Sequence, residues 1–136
     1  MKEITVLIID DSAVIRQYLN NNLSAEKDLK VIGYAADPNI AAVKIEKLNP
    51  DVVVMDITIG SINNGIELLT KIKNQFLKPV LLFSAVLKNE IENKYARYIP
   101  VLYDYTCKPD RIINEIPENI MAELKNKIRA LGSNKG

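Results

Sequence analysis

Five short apolar runs recur along the chain, and they are rich in β-branched residues and leucine. They occupy residues 4–9 (ITVLII), 30–36 (KVIGYAA), 51–55 (DVVVM), 79–83 (PVLLF) and 101–105 (VLYDY). Near-continuous apolar character, as in the first four runs, is typical of strands buried on both faces of a sheet. The fifth run is weaker, but its tyrosines and valine favour a pleated surface. We therefore predict five strands.

The segments between these runs have the patterning of helices. It predicts helices at residues 12–23, 38–48, 66–76, 88–99 and 117–131. Asp37 is a suitable N-cap before Pro38, and Asn49 with Pro50 ends that helix. Gly132 predicts the end of the last helix.

Strands that alternate with helices predict right-handed crossovers and a parallel sheet with helices on both faces. This is a doubly wound α/β domain. The length of 136 residues suits one domain, which we assign to residues 1–131. Residues 132–136 (GSNKG) are expected to form a flexible tail.

Composition excludes several classes of protein. The 18 Lys and Arg residues nearly balance the 17 Asp and Glu residues, so no general attraction to nucleic acid or membrane is expected. The absence of histidine removes histidine-based metal sites, triads and general bases. The single cysteine, Cys107, excludes an internal disulfide and suits a reducing compartment. With neither a signal-peptide pattern nor a membrane-span pattern, we expect a cytoplasmic location.

The stretch VVVMDITIGSINNG, residues 52–65, has two glycines spaced as in the nucleotide-binding pattern G-x-x-x-x-G-K-[ST]. Ile66 and Glu67 stand where that pattern needs a lysine and a hydroxyl residue. The stretch is therefore not a phosphate-binding loop of this kind. The pattern G-x-G-x-x-G is also missing, which weighs against a nucleotide- or flavin-binding protein.

Polar residues follow the apolar runs, where a parallel sheet gathers its ligands. Asp10 and Asp11 follow the first run, Asp56 the third, Ser84 the fourth and Lys108 the fifth. Three converging carboxylates repel one another, so a cation has to lie among them. Magnesium suits oxygen ligands of this kind, and together with Lys108 it balances the three negative charges.

A nearly neutral site with one central carboxylate is suited to covalent phosphorylation. Aspartate is a known covalent nucleophile of this type, and Asp56 is the central candidate. Magnesium and Lys108 would stabilise charge on the transferred oxygens. Ser84, at a neighbouring strand end, can offer its hydroxyl to the new phosphoryl group.

Several of these segments resemble the receiver domain of bacterial and archaeal two-component response regulators. They are VLIIDDSAVIRQ, PDVVVMDI, FSA and DYTCKP, within a similarity that covers residues 4–131. Within that family the sequence is most similar to the receiver of the chemotaxis protein-glutamate methylesterase. The resemblance implies a flavodoxin-like three-layer sandwich. It also implies a signalling switch, rather than an enzyme, that takes a phosphoryl group from a histidine kinase or phosphotransfer protein.

The resemblance also implies a role for each site residue. Asp56 is the expected phosphoacceptor, and Lys108 is expected to contact the phosphoryl group. Ser84 and Tyr105 are the expected switch residues. The expected magnesium ligands are Asp10, Asp11, Asp56 and the main-chain carbonyl of Thr58.

The chain departs from the family pattern after the acceptor. Gly60 replaces the usual proline, and Gly65 lies nine residues after Asp56 instead of eight, so a longer and more flexible loop is expected. Thr58 and Val86 occupy positions that influence attack by water, and neither is a carboxylate or an amide. We therefore expect slow loss of the phosphoryl group. YIPVLYDY replaces the usual Gly-Ala before the fifth strand, which predicts an unusual output partner.

Two alternatives remain at this point. The altered loop could have lost magnesium binding, which would leave a phosphorylation-independent interaction module. A nucleotide- or flavin-binding protein is the other. The output could be a separate protein or a C-terminal effector domain after Leu131, but without histidine these residues alone cannot be the esterase.

Overall fold

The computed structural model describes residues 3–109 and 116–133. Their five strands form one parallel sheet in the order β2-β1-β3-β4-β5. The strands are β1 (Ile4–Ile9), β2 (Leu29–Ala35), β3 (Val52–Met55), β4 (Val80–Ser84) and β5 (Tyr103–Cys107). The order reverses direction at β1, which is the doubly wound arrangement that the alternation of elements predicted.

Helices follow the strands, one after each. They are α1 (Ala13–Ser24), α2 (Pro38–Leu48), α3 (Ile62–Lys71), α4 (Lys88–Tyr95) and α5 (Glu118–Ser133). A π-helical turn, Ile72–Phe76, extends α3, and a 3₁₀ turn, Ala96–Tyr98, extends α4. None of the helices in the described part of the chain combines the length and the apolar character that crossing a membrane requires.

Two apolar cores lie on opposite faces of the sheet. Leu7 and Ile9 of β1 enter the core with residues of α2, α3 and α4, whereas Val6 and Ile8 enter the core with residues of α1 and α5. Successive residues of a strand point to opposite faces, so a strand covered on both sides must be apolar at every position. This explains the near-continuous apolar runs of the central strands.

Side-chain caps fix the starts of three helices. Asp37 accepts a hydrogen bond of 2.9 Å from the Ile40 N–H, with Pro38 in the first helical turn, as predicted. Ser12 caps α1 in the same way, and Ser61 caps α3. The cap at Ser61 makes α3 begin at Ile62, four residues before the predicted start.

Two further predicted boundaries differ from the structure. Strand β5 pairs with β4 from Tyr103 to Cys107, two residues later than predicted, and Val101 is 95% exposed before the strand begins. Gly132 does not end α5 but lies buried within it. A Cβ atom there would come within 2.7 Å of Ile4 Cγ2, so the glycine permits close packing of α5 on β1. Residues 134–136 of the predicted tail lie outside the described residues.

Candidate functional site

The carboxyl ends of four strands bring the predicted polar residues together. Asp10 follows β1, Asp56 follows β3, Ser84 ends β4 and Lys108 follows β5. Asp10, Asp56 and Ser84 are buried, while Asp11 is exposed. The arrangement agrees with the rule that open α/β sheets gather ligands outside the carboxyl ends of their strands.

Three carboxylates and one ammonium form the centre of the site. Asp10, Asp11 and Asp56 each offer an oxygen atom that lies within 4.8 Å of the other two. Lys108 Nζ lies 2.8 Å from Asp10 Oδ2 and 2.6 Å from Asp56 Oδ2. The main chain holds the lysine in place, because its N–H donates a hydrogen bond of 2.9 Å to the Ser84 carbonyl.

The surroundings shift the pKa of each buried group. Burial raises the pKa of Asp10 above its usual value, although Lys108 acts in the opposite direction. Burial also acts to raise the pKa of Asp56, but hydrogen bonds from Lys108 and Thr58 outweigh it, and the pKa falls below its usual value. Burial acts to lower the pKa of Lys108, and its two carboxylate partners raise it overall. Of the two buried carboxyl groups, Asp56 is therefore the one whose surroundings favour the anionic form.

Thr58 contacts Asp56 through two donors. Its main-chain N–H lies 3.0 Å from Asp56 Oδ1, and its hydroxyl lies 2.8 Å from the same oxygen. The sequence analysis predicted the Thr58 carbonyl as a metal ligand and residue 58 as an influence on attack by water, and both stay predictions; it did not predict these two contacts with Asp56. An aspartate two residues before a threonine is typical of a local side-chain turn, and this signal could have revealed the N–H contact.

The two predicted switch residues meet at the segment that leads from β4 to α4. Ser84 Oγ accepts a hydrogen bond of 3.3 Å from the Val86 N–H. Tyr105 donates its hydroxyl hydrogen to the Val86 carbonyl, and its oxygen lies 3.3 Å from the Ser84 carbonyl. Burial raises the pKa of Tyr105, so the phenol remains a donor. Both switch candidates therefore hold the backbone of Val86.

The donor set fits a divalent cation. Three carboxylates and the Lys108 ammonium leave a net charge of about −2, which a dication would balance. Hard cations such as magnesium prefer oxygen ligands and keep some of their water, and the exposed Asp11 leaves the cluster accessible to a hydrated ion.

The path of the main chain requires glycine at two positions after Asp56: Gly60 in the loop and Gly65 in the first turn of α3. Gly60 has a φ of 72°, a left-handed conformation that favours glycine. A Cβ atom on Gly65 would lie 1.6 Å from the Ile57 carbonyl oxygen, so α3 can approach the loop only with glycine there. These needs account for the glycine pair that resembled a phosphate-binding loop.

Known proteins match this chain over most of its length. The family model for the response regulator receiver domain matches residues 6–114. A protein-glutamate methylesterase/protein-glutamine glutaminase of Nitrosomonas europaea is 36% identical over 129 residues, which are 95% of this chain and 36% of that protein. The corresponding protein of Sulfurimonas denitrificans is 34% identical over 130 residues, which are 96% of this chain and 37% of that protein. The chain thus spans little more than a third of the length of these relatives.

Solved structures share the fold. The response regulator domain of Thermotoga maritima CheB superposes with a TM-score of 0.82 and 31% identity, and covers 99% of this chain and 100% of that domain. A structure of the P1 domain of CheA3 in complex with CheY6 from R. sphaeroides matches with a TM-score of 0.73 and 22% identity, over 98% of this chain and 99% of that one. The second likeness is evidence of the fold alone.

Proposed function

The chain belongs to the response regulator receiver family, a family of signalling domains that are phosphorylated on aspartate, and we propose that Asp56 is the aspartate that accepts the phosphoryl group here. One observation carries this proposal. Lys108 Nζ lies 2.6 Å from Asp56 Oδ2 and 2.8 Å from Asp10 Oδ2, inside the cluster of three carboxylates. Asp56 therefore has both a cationic neighbour and a low pKa, as a phosphoacceptor requires.

The transfer forms one bond and breaks another. A carboxylate oxygen of Asp56 bonds to phosphorus while the bond from phosphorus to the donor's leaving atom breaks, and that atom keeps the electron pair. Lys108 contacts the phosphoryl oxygens, and its positive charge offsets part of their negative charge. Asp10, Asp11, Asp56 and the Thr58 carbonyl would hold magnesium, which would supply positive charge to neutralise the transferred oxygens.

The contacts of Ser84 and Tyr105 support a switching step. Phosphorylation of Asp56 adds negative charge beside the end of β4, and a hydroxyl is a good donor to it. We propose that Ser84 turns its hydroxyl to the phosphoryl group and releases the Val86 N–H that it now accepts from. Tyr105, which donates to the Val86 carbonyl, then changes position with that segment. A bias of a few kcal/mol between the two arrangements is enough for a switch.

The same family membership supports a proposal for the phosphodonor and for the output. We propose a histidine kinase or phosphotransfer protein as the donor, in a chemotaxis-type pathway in the cytoplasm. The domain catalyses at most its own phosphorylation and dephosphorylation. Because the methylesterase relatives are nearly three times as long, we propose that the output is a protein surface or a C-terminal effector domain, with no direct contact to nucleic acid or membrane.

The experiment that tests the proposal is the intact mass after incubation with a small-molecule phosphodonor, with and without magnesium. We expect a magnesium-dependent gain of one phosphoryl group in the wild type and in Asp37→Asn, a control that keeps a suitable helix cap. We expect no gain in Asp56→Asn. A gain that persists in Asp56→Asn would show that another residue accepts the phosphoryl group. No gain under any condition would favour the phosphorylation-independent module.

A further inference from the structure

The turn from β1 to α1 carries two of the proposed magnesium ligands, and three hydrogen bonds define it. The Asp10 N–H donates to the Ala35 carbonyl at 3.1 Å, and the Ser12 N–H donates to Asp10 Oδ1 at 2.9 Å. Arg16 Nη1, one turn into α1, donates to the Asp10 carbonyl at 2.8 Å. The last bond fixes the plane of the peptide that joins Asp10 to Asp11.

Arg16 also contacts Tyr34, near the end of β2. Its guanidinium carbon lies 5.6 Å from the centre of the Tyr34 ring, within the range of a cation–π contact. Lys44 Nζ lies 5.5 Å from the same ring centre and donates to the Tyr34 carbonyl at 2.6 Å. A connected series of contacts therefore runs from α2 through the end of β2 to the turn with the carboxylates.

We propose that Arg16 is a positioning residue for the magnesium site, an inference that rests on the proposed function. Rotation of the Asp10–Asp11 peptide would swing the Asp11 side chain, and Asp11 is exposed. The hydrogen bond from Arg16 to the Asp10 carbonyl resists this rotation. Tyr34 keeps the guanidinium where it can make the bond. Neighbouring groups that orient metal ligands typically change metal affinity or activity by about 10- to 100-fold.

The charge of Arg16 and its hydrogen bond to the Asp10 carbonyl have opposite effects on magnesium affinity. The direction in which the affinity changes therefore tests the inference. A guanidinium near the site repels a dication, so loss of the charge alone would tighten magnesium binding. Loss of the positioning hydrogen bond would weaken it. The proposal requires that positioning outweighs repulsion.

The test is the magnesium dissociation constant measured by titration calorimetry, with the melting temperature in EDTA as the control for folding. We expect Arg16→Met to weaken binding about tenfold at an almost unchanged melting temperature. Arg16→Lys, which retains a charged donor, should recover part of the loss. Tyr34→Leu should also weaken magnesium binding, but by less than Arg16→Met. Arg97→Met, at an arginine that lies 5.9 Å from the Tyr98 ring on the turn after α4, should bind as the wild type does.

The other outcomes distinguish a failure of the proposed role of Arg16 from a failure of the proposed function. Equal or tighter binding by folded Arg16→Met would overturn the role of Arg16 and leave the proposed function intact. If Arg16→Met does not fold, Tyr34→Leu decides, because Tyr34 is 52% exposed and its replacement should leave the fold intact. An unchanged affinity in that variant would overturn the role of Arg16. A wild type that neither binds magnesium nor gains a phosphoryl group would overturn the proposed function, and the role of Arg16 with it.

Discussion

Tyr105 donates its hydroxyl hydrogen to the main-chain carbonyl of Val86, across the gap between β5 and the segment that follows β4. The ring is only 7% exposed and packs in the core on the α2–α3–α4 side of the sheet. Val86 also donates its N–H to Ser84 Oγ. A movement of either Ser84 or Tyr105 therefore reaches the start of α4 through the backbone of one residue.

Tyr105→Phe tests this connection, because it removes the hydroxyl and keeps the ring. We expect a loss of about 1 kcal/mol in the free energy of unfolding, measured by urea denaturation, since the Val86 carbonyl loses its donor. Tyr105→Ala should cost about 3–5 kcal/mol, because a buried ring is lost as well. Amide exchange near residue 86 should become faster in Tyr105→Phe. Unchanged stability together with unchanged exchange would contradict the connection.

The carboxylate cluster predicts opposite effects of one substitution with and without magnesium. Asp11→Asn relieves repulsion between charges, so in EDTA we expect a gain in the free energy of unfolding of up to about 1 kcal/mol, small because Asp11 is exposed. The stabilisation by added magnesium should shrink, because a ligand is lost. Melting temperatures in EDTA and in magnesium measure both effects, with Asp37→Asn as a control at a carboxylate outside the cluster. A variant that magnesium stabilises as much as the wild type would exclude Asp11 as a ligand.

The central sheet was predictable from the sequence, because burial on both faces requires apolar residues at nearly every position of β1, β3 and β4. The start of the edge strand β5 was harder to predict. Val101 looks like a strand residue but is 95% exposed, and pairing with β4 begins only at Tyr103. The start of α3 was missed because its first turn, Ile62 to Gly65, has the polar and glycine-rich composition of a loop.

The members of the site were predictable because parallel strands place their carboxyl ends at one edge, whatever the details of packing. The contacts between them were less predictable. The Thr58 hydroxyl on Asp56 Oδ1 depends on a side-chain rotamer, and the link from Arg16 to Tyr34 depends on how α1 and β2 pack. Gly132 continues a helix because Ile4 packs against it, a contact between the two ends of the chain.

Thr106 predicts a stabilising substitution. The residue is 1% exposed, and among the residues described its hydroxyl has no hydrogen-bond partner. A buried hydroxyl without a partner costs free energy, so Thr106→Val should raise the free energy of unfolding by about 1 kcal/mol. Thr70→Val is the control, because the Thr70 hydroxyl donates to the Ile66 carbonyl at 2.9 Å and should give no such gain. Urea denaturation compares them, and destabilisation by Thr106→Val would show that the hydroxyl is satisfied in solution.

Arg129 predicts a pH-dependent contribution to stability. Its guanidinium lies 2.7 Å from Asp28 Oδ2 and 2.8 Å from Glu26 Oε1, and ties α5 to the turn before β2. Hydrogen bonds from Arg129 lower the pKa of both carboxyls in the folded state. A lowered folded-state pKa gives stability that is present above the ordinary pKa of about 4 and is lost as the pH falls through the folded value.

Arg129→Met should therefore lower the melting temperature at pH 7, and the difference from the wild type should shrink as the pH falls below about 4. Lys94→Met is the control, since it removes a single exposed pair with Glu90 of 3.3 Å and should change little at neutral pH. A difference between Arg129→Met and the wild type that stays constant with pH would point to lost packing of the side chain in place of lost charge pairs.

The lifetime of the phosphorylated form depends on what can orient a water molecule beside Asp56. Thr58 offers one hydroxyl there, already used on Asp56 Oδ1, and Val86 offers no side-chain polar group, so we expect slow hydrolysis in the wild type. Thr58→Asn introduces an amide that can hold the attacking water. One hydrogen bond of about 1 kcal/mol would shorten the half-life roughly fivefold. Thr58→Val keeps the branched shape without the amide, and its half-life should not be shorter than that of the wild type. Intact mass followed over time after removal of the donor measures each half-life, and equal half-lives for the Asn and Val variants would show that residue 58 does not control attack by water.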